Sequence, residues 1–316
     1  MFLRVRKHKV IIMNWKSVTI IVAFSLLSFT LSLIHSIFAY LSIIPLSIFI
    51  LDETSDAFFE EVYDSLNPTM RYALSITLLA FIVSLDEIIV SISSIITGYA
   101  EISAGALMGS DAITVLMVVL ILMAVRRKLD YRKTIPYVIF PAFLIGAGIL
   151  SEYLNLAWVS NILYAATILI SVVVLIAISL KILKPKEKIK ESKTGAPFRN
   201  ITFGTFYLFF LTVGAYYLSF STVQVSSYYD ISYFIGGYVI AGVVGSMPEY
   251  FMIKDSMKNG NMDDASGIFV GSTIIKGTIL LPLVSIFFGY SYPIFNFFIL
   301  FSIICTVTLI PFMKMR

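Results

Sequence analysis

Long apolar runs separated by short polar or charged stretches dominate the chain. Most are close to the ~20 residues that an α-helix needs to cross a membrane, and they lack the about ten-residue alternation of a transmembrane barrel. The pattern predicts an all-α polytopic membrane protein with about ten transmembrane helices. The predicted spans lie near residues 17–34, 36–51, 69–97, 103–125, 135–150, 155–183, 200–222, 231–257, 265–287 and 291–312.

Composition supports a membrane protein. The 316 residues are 59% hydrophobic and 13% charged, with a mean hydropathy of +0.93, and a soluble core cannot bury that much apolar surface. Cys305 is the only cysteine, which excludes an internal disulfide, while His8 and His35 are isolated and form no metal-ligand cluster. We expect the lipid bilayer and inorganic cations as partners, with no cofactor and no nucleic acid; oligomeric state stays open.

Charge along the chain predicts its orientation. The N-terminus, the loops 126–133 and 184–193 and the C-terminal end are basic. The positive-inside rule places such segments in the cytoplasm, and ten crossings put all four on one side. The acidic stretch 52–64 falls on that side too, which is tolerable because acidic residues contribute little to orientation. We expect an integral protein of the cell membrane with a cytoplasmic N-terminus.

The polar segment 184–199 is the natural boundary between two halves. It predicts a first repeat over 36–183, a solvated cytoplasmic linker over 184–199 and a second repeat over 200–316. Residues 1–35 form a basic N-terminus with one extra helix. A signal peptide is the alternative for that helix, but the long apolar run and the lack of a small-residue cleavage site favour a retained span.

An internal repeat relates the two halves. A shift of 162 positions without a gap lays residues 84–114 on 246–276. The predicted topology runs the two copies in opposite directions, and inverted repeats typically place a transporter's substrate site near the bilayer midplane. In each copy, Ser-x-x-Glu is expected to open one helix and Gly-x-x-x-Gly-Ser the next. The matched pairs are Ser84/Ser246, Glu87/Glu249, Ser94/Ser256, Gly98/Gly260, Gly105/Gly267, Gly109/Gly271, Ser110/Ser272 and Ile113/Ile275.

One lysine lies inside a predicted span. Counted from Asp264, Lys276 is about 18 Å along its helix, near the middle of a hydrocarbon layer about 30 Å thick. A charge there costs several kcal/mol unless it is paired or faces water. Lys276 therefore either forms a structural salt bridge to Glu87, Asp86 or Asp111, or acts as a tethered cation or proton carrier.

The two copies resemble the α-repeats of the cation/Ca²⁺ exchanger superfamily, the sodium/calcium exchanger group. The resemblance rests on "SLDE" with "GALMGSD" and on "SMPE" with "GIFVGST". It implies an antiporter that works by alternating access, with Glu87 and Glu249 as the central carboxylates for Ca²⁺, a hard cation that takes six to eight oxygens. The serines that it implies as further oxygen ligands are Ser84, Ser246, Ser110 and Ser272.

Departures from the family pattern change which ion ligands and which counter-ion we expect. Asp86 replaces a proline and Asp111 replaces an asparagine, so each adds a candidate acidic ligand. Thr114 and Lys276 occupy the position of a polar ion ligand in relatives. Because a fixed ammonium would repel Na⁺, we expect exchange of Ca²⁺ or a related divalent cation with H⁺ favoured as counter-ion. The alternative is a Na⁺/Ca²⁺ exchanger in which Lys276 is purely structural.

Two further hypotheses concern function class and architecture. A membrane-embedded hydrolase using Asp86 and Asp111, or the glutamates, is less consistent with the sequence because a Gly-x-Gly-Asp element is missing and a twofold repeat favours transport. The family has five helices per repeat, whereas one span here follows the second Gly-Ser helix. We predict that 17–34 fills the vacant place beside 291–312.

Overall fold

The computed structural model describes residues 15–33, 35–65, 81, 84–125, 147–148, 150–151, 154–182, 197–258 and 262–288. These residues form helices and contain no strand, as predicted. The elements are α1 Trp15–Ser32, α2 Ser36–Ser65, α3 Leu85–Ile96, α4 Ala100–Val125, α5 Ala157–Ile182, α6 Pro197–Tyr228, α7 Tyr233–Gly236, π1 Gly237–Ala241, α8 Gly242–Lys258, α9 Met262–Thr273, π2 Ile274–Leu280 and α10 Leu281–Phe288.

Every helix lies on a predicted span. Within the described residues, three helical stretches are long and apolar enough to cross a membrane by themselves, Ala100–Ile121, Ala157–Ile176 and Phe203–Tyr228. The predicted span 291–312 lies outside the described residues, and 135–150 lies almost wholly outside them. The structure therefore does not describe the predicted neighbour of 17–34. Among the described helices, α1 packs against α2.

Two helices extend beyond the predicted apolar segments. Helix α2 does not end at residue 51 but continues through the acidic stretch to Ser65, because residues 52–65 contain neither glycine nor proline to stop it. The linker 184–199 is shortened at its end, since α6 begins at Pro197, where proline suits the first helical position.

Helices α3 and α4 form a tight antiparallel hairpin. Three residues connect them, and the central one, Gly98, has φ +84°, a left-handed conformation that glycine adopts without strain. Ser84 immediately precedes α3, so Asp86 and Glu87 lie in the first helical turn. The first Ser-x-x-Glu element thus opens a helix, as predicted.

Glycines bring α4 against the second copy. A Cβ on Gly109 would lie 2.9 Å from the Tyr238 Cα, and one on Gly242 would lie 2.7 Å from the Gly109 Cα. A Cβ on Gly237 would lie 2.8 Å from the Ile102 Cα. The contacting residues therefore increase in residue number together along the two helical segments, so α4 runs parallel to the continuous helix α7–π1–α8. Since α3 is antiparallel to α4, the two Ser-x-x-Glu helices run in opposite directions, which is the inversion that the sequence predicted.

The second Ser-x-x-Glu element does not open a helix, contrary to the prediction. Ser246 is the fifth residue of α8. The backbone is not interrupted before it, because the Gly242 N–H bonds to the Gly237 carbonyl across π1 and keeps the helix continuous. The two Ser-x-x-Glu elements thus occupy equivalent positions in the repeats, but the first begins a helix whereas the second lies inside one.

The buried apolar side chains form two clusters. One joins α4 with α8, α9, π2 and α10, and the other joins α2, α3 and α6. Lipid-facing side chains such as Leu26, Trp158 and Leu169 are exposed. This arrangement places α3, α4, α8 and π2 around one buried polar centre.

Candidate cation site

Lys276 is the centre of this polar cluster. Its side chain is fully buried, and its Nζ lies 2.9 Å from Glu87 Oε1 and 2.5 Å from Glu249 Oε1. The ammonium also donates to Ser110 Oγ at 2.6 Å. From the sequence, Glu87 is a possible salt-bridge partner of Lys276, and the Lys276 ammonium is expected to point at the cavity that Glu87 and Glu249 share. The ammonium therefore bridges the symmetry-related glutamates of the two copies.

Hydrogen bonds around the glutamates follow the repeat. Ser110 Oγ donates to Glu87 Oε1 at 2.8 Å, and Ser272 Oγ donates to Glu249 Oε1. In both pairs the serine follows its glutamate by 23 residues. Each copy thus supplies one carboxylate and the hydroxyl that binds it.

Contacts between the copies follow the same symmetry. Thr114 Oγ1 donates to Glu249 Oε2 at 2.6 Å, and its repeat counterpart Lys276 binds Glu87. The fourth residue after each Gly-Ser element therefore reaches the glutamate of the other copy. Because lysine is longer than threonine and cationic, Lys276 reaches both glutamates and breaks the symmetry of the site.

The remaining predicted ligands lie around this centre. The hydroxyl of Ser84 is fully buried and has no partner among the described residues. Ser246 Oγ instead donates to the Val243 carbonyl of its own helix at 2.7 Å. The structure thus keeps both serines buried but brings neither into contact with Lys276.

The two extra aspartates take different places. Asp86 is 2% exposed, and its carboxyl lies beside that of Glu87. Asp111 is only partly buried, and its Oδ2 lies 3.4 Å from where a Cβ on Gly277 would be. Asp86 therefore places a second carboxyl next to one glutamate, whereas Asp111 lies against the backbone of π2 beside Lys276.

Two features of the site were not found from the sequence. Lys276 lies within π2, and π-helical segments, which add one residue per turn, occur frequently at functional sites. Gly245 abuts the first copy, because a Cβ there would lie 2.8 Å from Glu87 Oε1. A side chain at this position would displace the Glu87 carboxylate, so glycine is what permits the close approach.

The donor set is suited to a small hard cation. Two carboxylates and the hydroxyls of Ser110, Ser272 and Thr114 are oxygen ligands of the kind that Ca²⁺ prefers. No group of three or more His, Cys, Asp or Glu side chains in the described part of the chain is arranged to hold a metal ion. With both glutamates ionised, the carboxylates and the Lys276 ammonium carry a net charge of about −1.

Both halves of the chain match a known protein family. A family model described as "Sodium/calcium exchanger protein" matches residues 70–191 and 201–316, one segment in each half. The chain belongs to the sodium/calcium exchanger family. No curated protein matches the chain significantly.

Solved structures show the same fold. The structure of native YfkE is similar with a TM-score of 0.65 and 18% identity, over 93% of this chain and 91% of that one. The crystal structure of the H⁺/Ca²⁺ exchanger CAX is similar with a TM-score of 0.59 and 13% identity, over 93% and 82%. This exchanger-family chain is therefore an integral membrane protein with the fold of cation exchangers.

Proposed function

We propose that this exchanger-family protein is a secondary active antiporter, not an enzyme, that exchanges Ca²⁺ or a related divalent cation by alternating access. Lys276 serves as its tethered cation and protons are the counter-ion. The observation that carries the proposal is the position of the Lys276 ammonium between Glu87 and Glu249. The inverted repeats support alternating access, because they supply two equivalent halves around one site.

The Lys276 ammonium and a divalent ion cannot bind the same two glutamate oxygens at once. Ca²⁺ binds oxygens at about 2.3–2.6 Å, and Nζ already lies 2.9 Å and 2.5 Å from the two glutamate oxygens that would be its ligands. An arriving Ca²⁺ therefore has to displace the ammonium from both carboxylates. When the ion leaves, Lys276 returns and removes the repulsion between two carboxylates in low dielectric.

Charge at the Lys276 position disfavours Na⁺ as the counter-ion. Na⁺ requires a shell of oxygens, and one position that supplies such an oxygen in relatives is an ammonium here. A proton requires no shell of its own, and the same fold carries H⁺/Ca²⁺ exchange in CAX. The competing function is Na⁺/Ca²⁺ exchange with Lys276 as a structural group only.

Uptake of ⁴⁵Ca²⁺ into proteoliposomes tests the proposal. An outward H⁺ gradient is expected to drive uptake in the parent protein, while an outward Na⁺ gradient is not. The Lys276→Asp variant is expected to gain Na⁺-driven uptake, because a carboxylate replaces the cation at a family ligand position. Lys254→Asp, on α8 away from the carboxylate pair, is the matched control and should behave as the parent. Na⁺-driven uptake by the parent would contradict the choice of counter-ion, and no uptake under any gradient would contradict exchange itself.

A further inference from the structure

Asp111 lies in the middle of a membrane span. It is the twelfth of the 26 residues of α4, within the stretch Ala100–Ile121 that is long and apolar enough to cross a membrane. Within the described residues, its carboxyl accepts no hydrogen bond and forms no ion pair. An ionised side chain at this depth is expensive unless it is paired or faces water. As far as the described residues show, Asp111 is therefore available to accept a cation.

Asp111 and Lys276 break the symmetry of the repeat in complementary ways. Under the 162-residue shift, Asp111 corresponds to Thr273, and Thr114 corresponds to Lys276. Each of the two positions thus carries a threonine in one copy and a charged residue in the other. The two charges are opposite in sign and belong to different copies, so the acid of the first copy can compensate the base of the second.

The Lys276 side chain is long enough to reach Asp111. Asp111 Oδ2 lies 3.4 Å from where a Cβ on Gly277 would be. Because Gly277 directly follows Lys276 and consecutive Cα atoms are about 3.8 Å apart, this oxygen lies within about 9 Å of the Lys276 Cα. Five bonds of about 1.5 Å place the ammonium of an extended lysine about 6 Å from its Cα. An ion pair forms at N···O distances up to about 4 Å, so the side chain spans the gap.

The ammonium is already beside Asp111 along α4. It donates to the hydroxyl of Ser110, the residue that directly precedes Asp111, at 2.6 Å. The Lys276 ammonium and the Asp111 carboxylate are also close enough to attract each other. Asp86 is a poorer acceptor, because its carboxyl lies against that of Glu87. An ammonium there would stay next to a divalent ion on Glu87, which would repel it.

We propose that Asp111 holds the Lys276 ammonium while a divalent cation occupies Glu87 and Glu249. In the present conformation the ammonium bridges the two glutamates. When an ion displaces it, rotation of the flexible lysine side chain brings it to Asp111. The ammonium thus keeps an anionic partner in both states, and Asp111 is a positioning residue and not an ion ligand. The inference rests on the proposed function, since it specifies where the displaced ammonium goes.

Thermal unfolding without Ca²⁺ tests the proposal. Glu87→Gln combined with Glu249→Gln removes the charges that hold the ammonium, so Lys276 should move to Asp111. Adding Asp111→Asn to this double variant should lower the unfolding midpoint by at least about 3 °C. Asp111→Asn alone should not lower the midpoint of the parent, in which the ammonium lies on the glutamates. Glu101→Gln, which changes an exposed acid of the same helix, is the control in both backgrounds. Equal shifts from Asp111→Asn in the two backgrounds would overturn the proposal.

Calcium affinity provides a second measurement and decides the question if the double glutamine variant does not fold. Displacement of ⁴⁵Ca²⁺ by unlabelled Ca²⁺ measures this affinity without an ion-free protein. Asp111→Asn should weaken binding at least about tenfold in the parent, because the displaced ammonium loses its acceptor. In a Lys276→Met background the same change should weaken binding less than about twofold, because no ammonium has to be placed. An equal loss in both backgrounds would make Asp111 an ion ligand, and no loss in the parent would remove its role; either result contradicts the proposal.

The two measurements separate this inference from the proposed function. A protein that shows the expected dependence of unfolding on Asp111 but exchanges no Ca²⁺ would refute the proposed function and leave the Lys276–Asp111 pair intact. A protein that exchanges Ca²⁺ but shows equal unfolding shifts in the two backgrounds would refute the role of Asp111 alone.

Discussion

Replacement of Lys276 by methionine is expected to destabilise the ion-free protein by about 3–5 kcal/mol. Methionine fills much of the same volume but leaves the Glu87 and Glu249 carboxylates buried, close together and without the cation that now bridges them. Ca²⁺ should then bind more tightly, because it no longer competes with an ammonium. The variant should change from a protein that folds without Ca²⁺ into one that depends on it.

Thermal unfolding in detergent, with and without Ca²⁺, measures this effect. Lys254→Met is the matched control, since its ammonium lies 5.1 Å from the ring centre of Tyr250 and away from the two carboxylates. Adding Glu87→Gln to Lys276→Met should restore part of the ion-free stability by removing one of the two like charges. A Lys276→Met protein as stable as the parent without Ca²⁺ would show that the ion pair contributes nothing.

Glutamine at either glutamate is expected to abolish stabilisation by Ca²⁺. Glu87→Gln and Glu249→Gln keep the side-chain length and one carbonyl oxygen, but each removes half of the negative charge that holds a divalent ion. A ligand at 100 times its Kd stabilises a protein by about 2.7 kcal/mol, and this gain should disappear in both variants. Expression and folding should persist, because Lys276 keeps the other glutamate as its partner.

The same thermal assay decides the role of the glutamates. Glu101→Gln is the control, because Glu101 is an exposed acid in the first turn of α4 and should leave the Ca²⁺ response unchanged. Undiminished stabilisation in both Glu87→Gln and Glu249→Gln would remove these residues from the site. Loss in one variant alone would mean that the ion is held by a single repeat.

The internal repeat predicted much of the site. The 162-residue shift paired Glu87 with Glu249 and Ser110 with Ser272, and the structure places all four in contact with one another or with Lys276. Identical spacing on inverted helices is sufficient for this prediction, because a pseudo-twofold axis brings equivalent residues together. Whether these residues bind Ca²⁺ stays a prediction.

Other features depend on tertiary contacts that the sequence does not encode locally. The π2 segment around Lys276 has no composition that separates it from an α-helix. The contacts of Lys276 with Glu87 and of Thr114 with Glu249 depend on the close approach of the two copies, where α4 meets α8 at Gly109 and Gly242. The second Ser-x-x-Glu element was expected to open a helix at Ser246, but π1 keeps the backbone helical through this point. Each of these follows from packing between the copies.

The most direct test is an experimental structure of the protein in saturating Ca²⁺. We predict one ion bound by Glu87 and Glu249 at about 2.3–2.6 Å, with Lys276 Nζ moved beyond ion-pair distance from both carboxylates. An ammonium that still bridges Glu87 and Glu249 while Ca²⁺ is bound elsewhere would contradict the claim that lysine and the transported ion compete for one site.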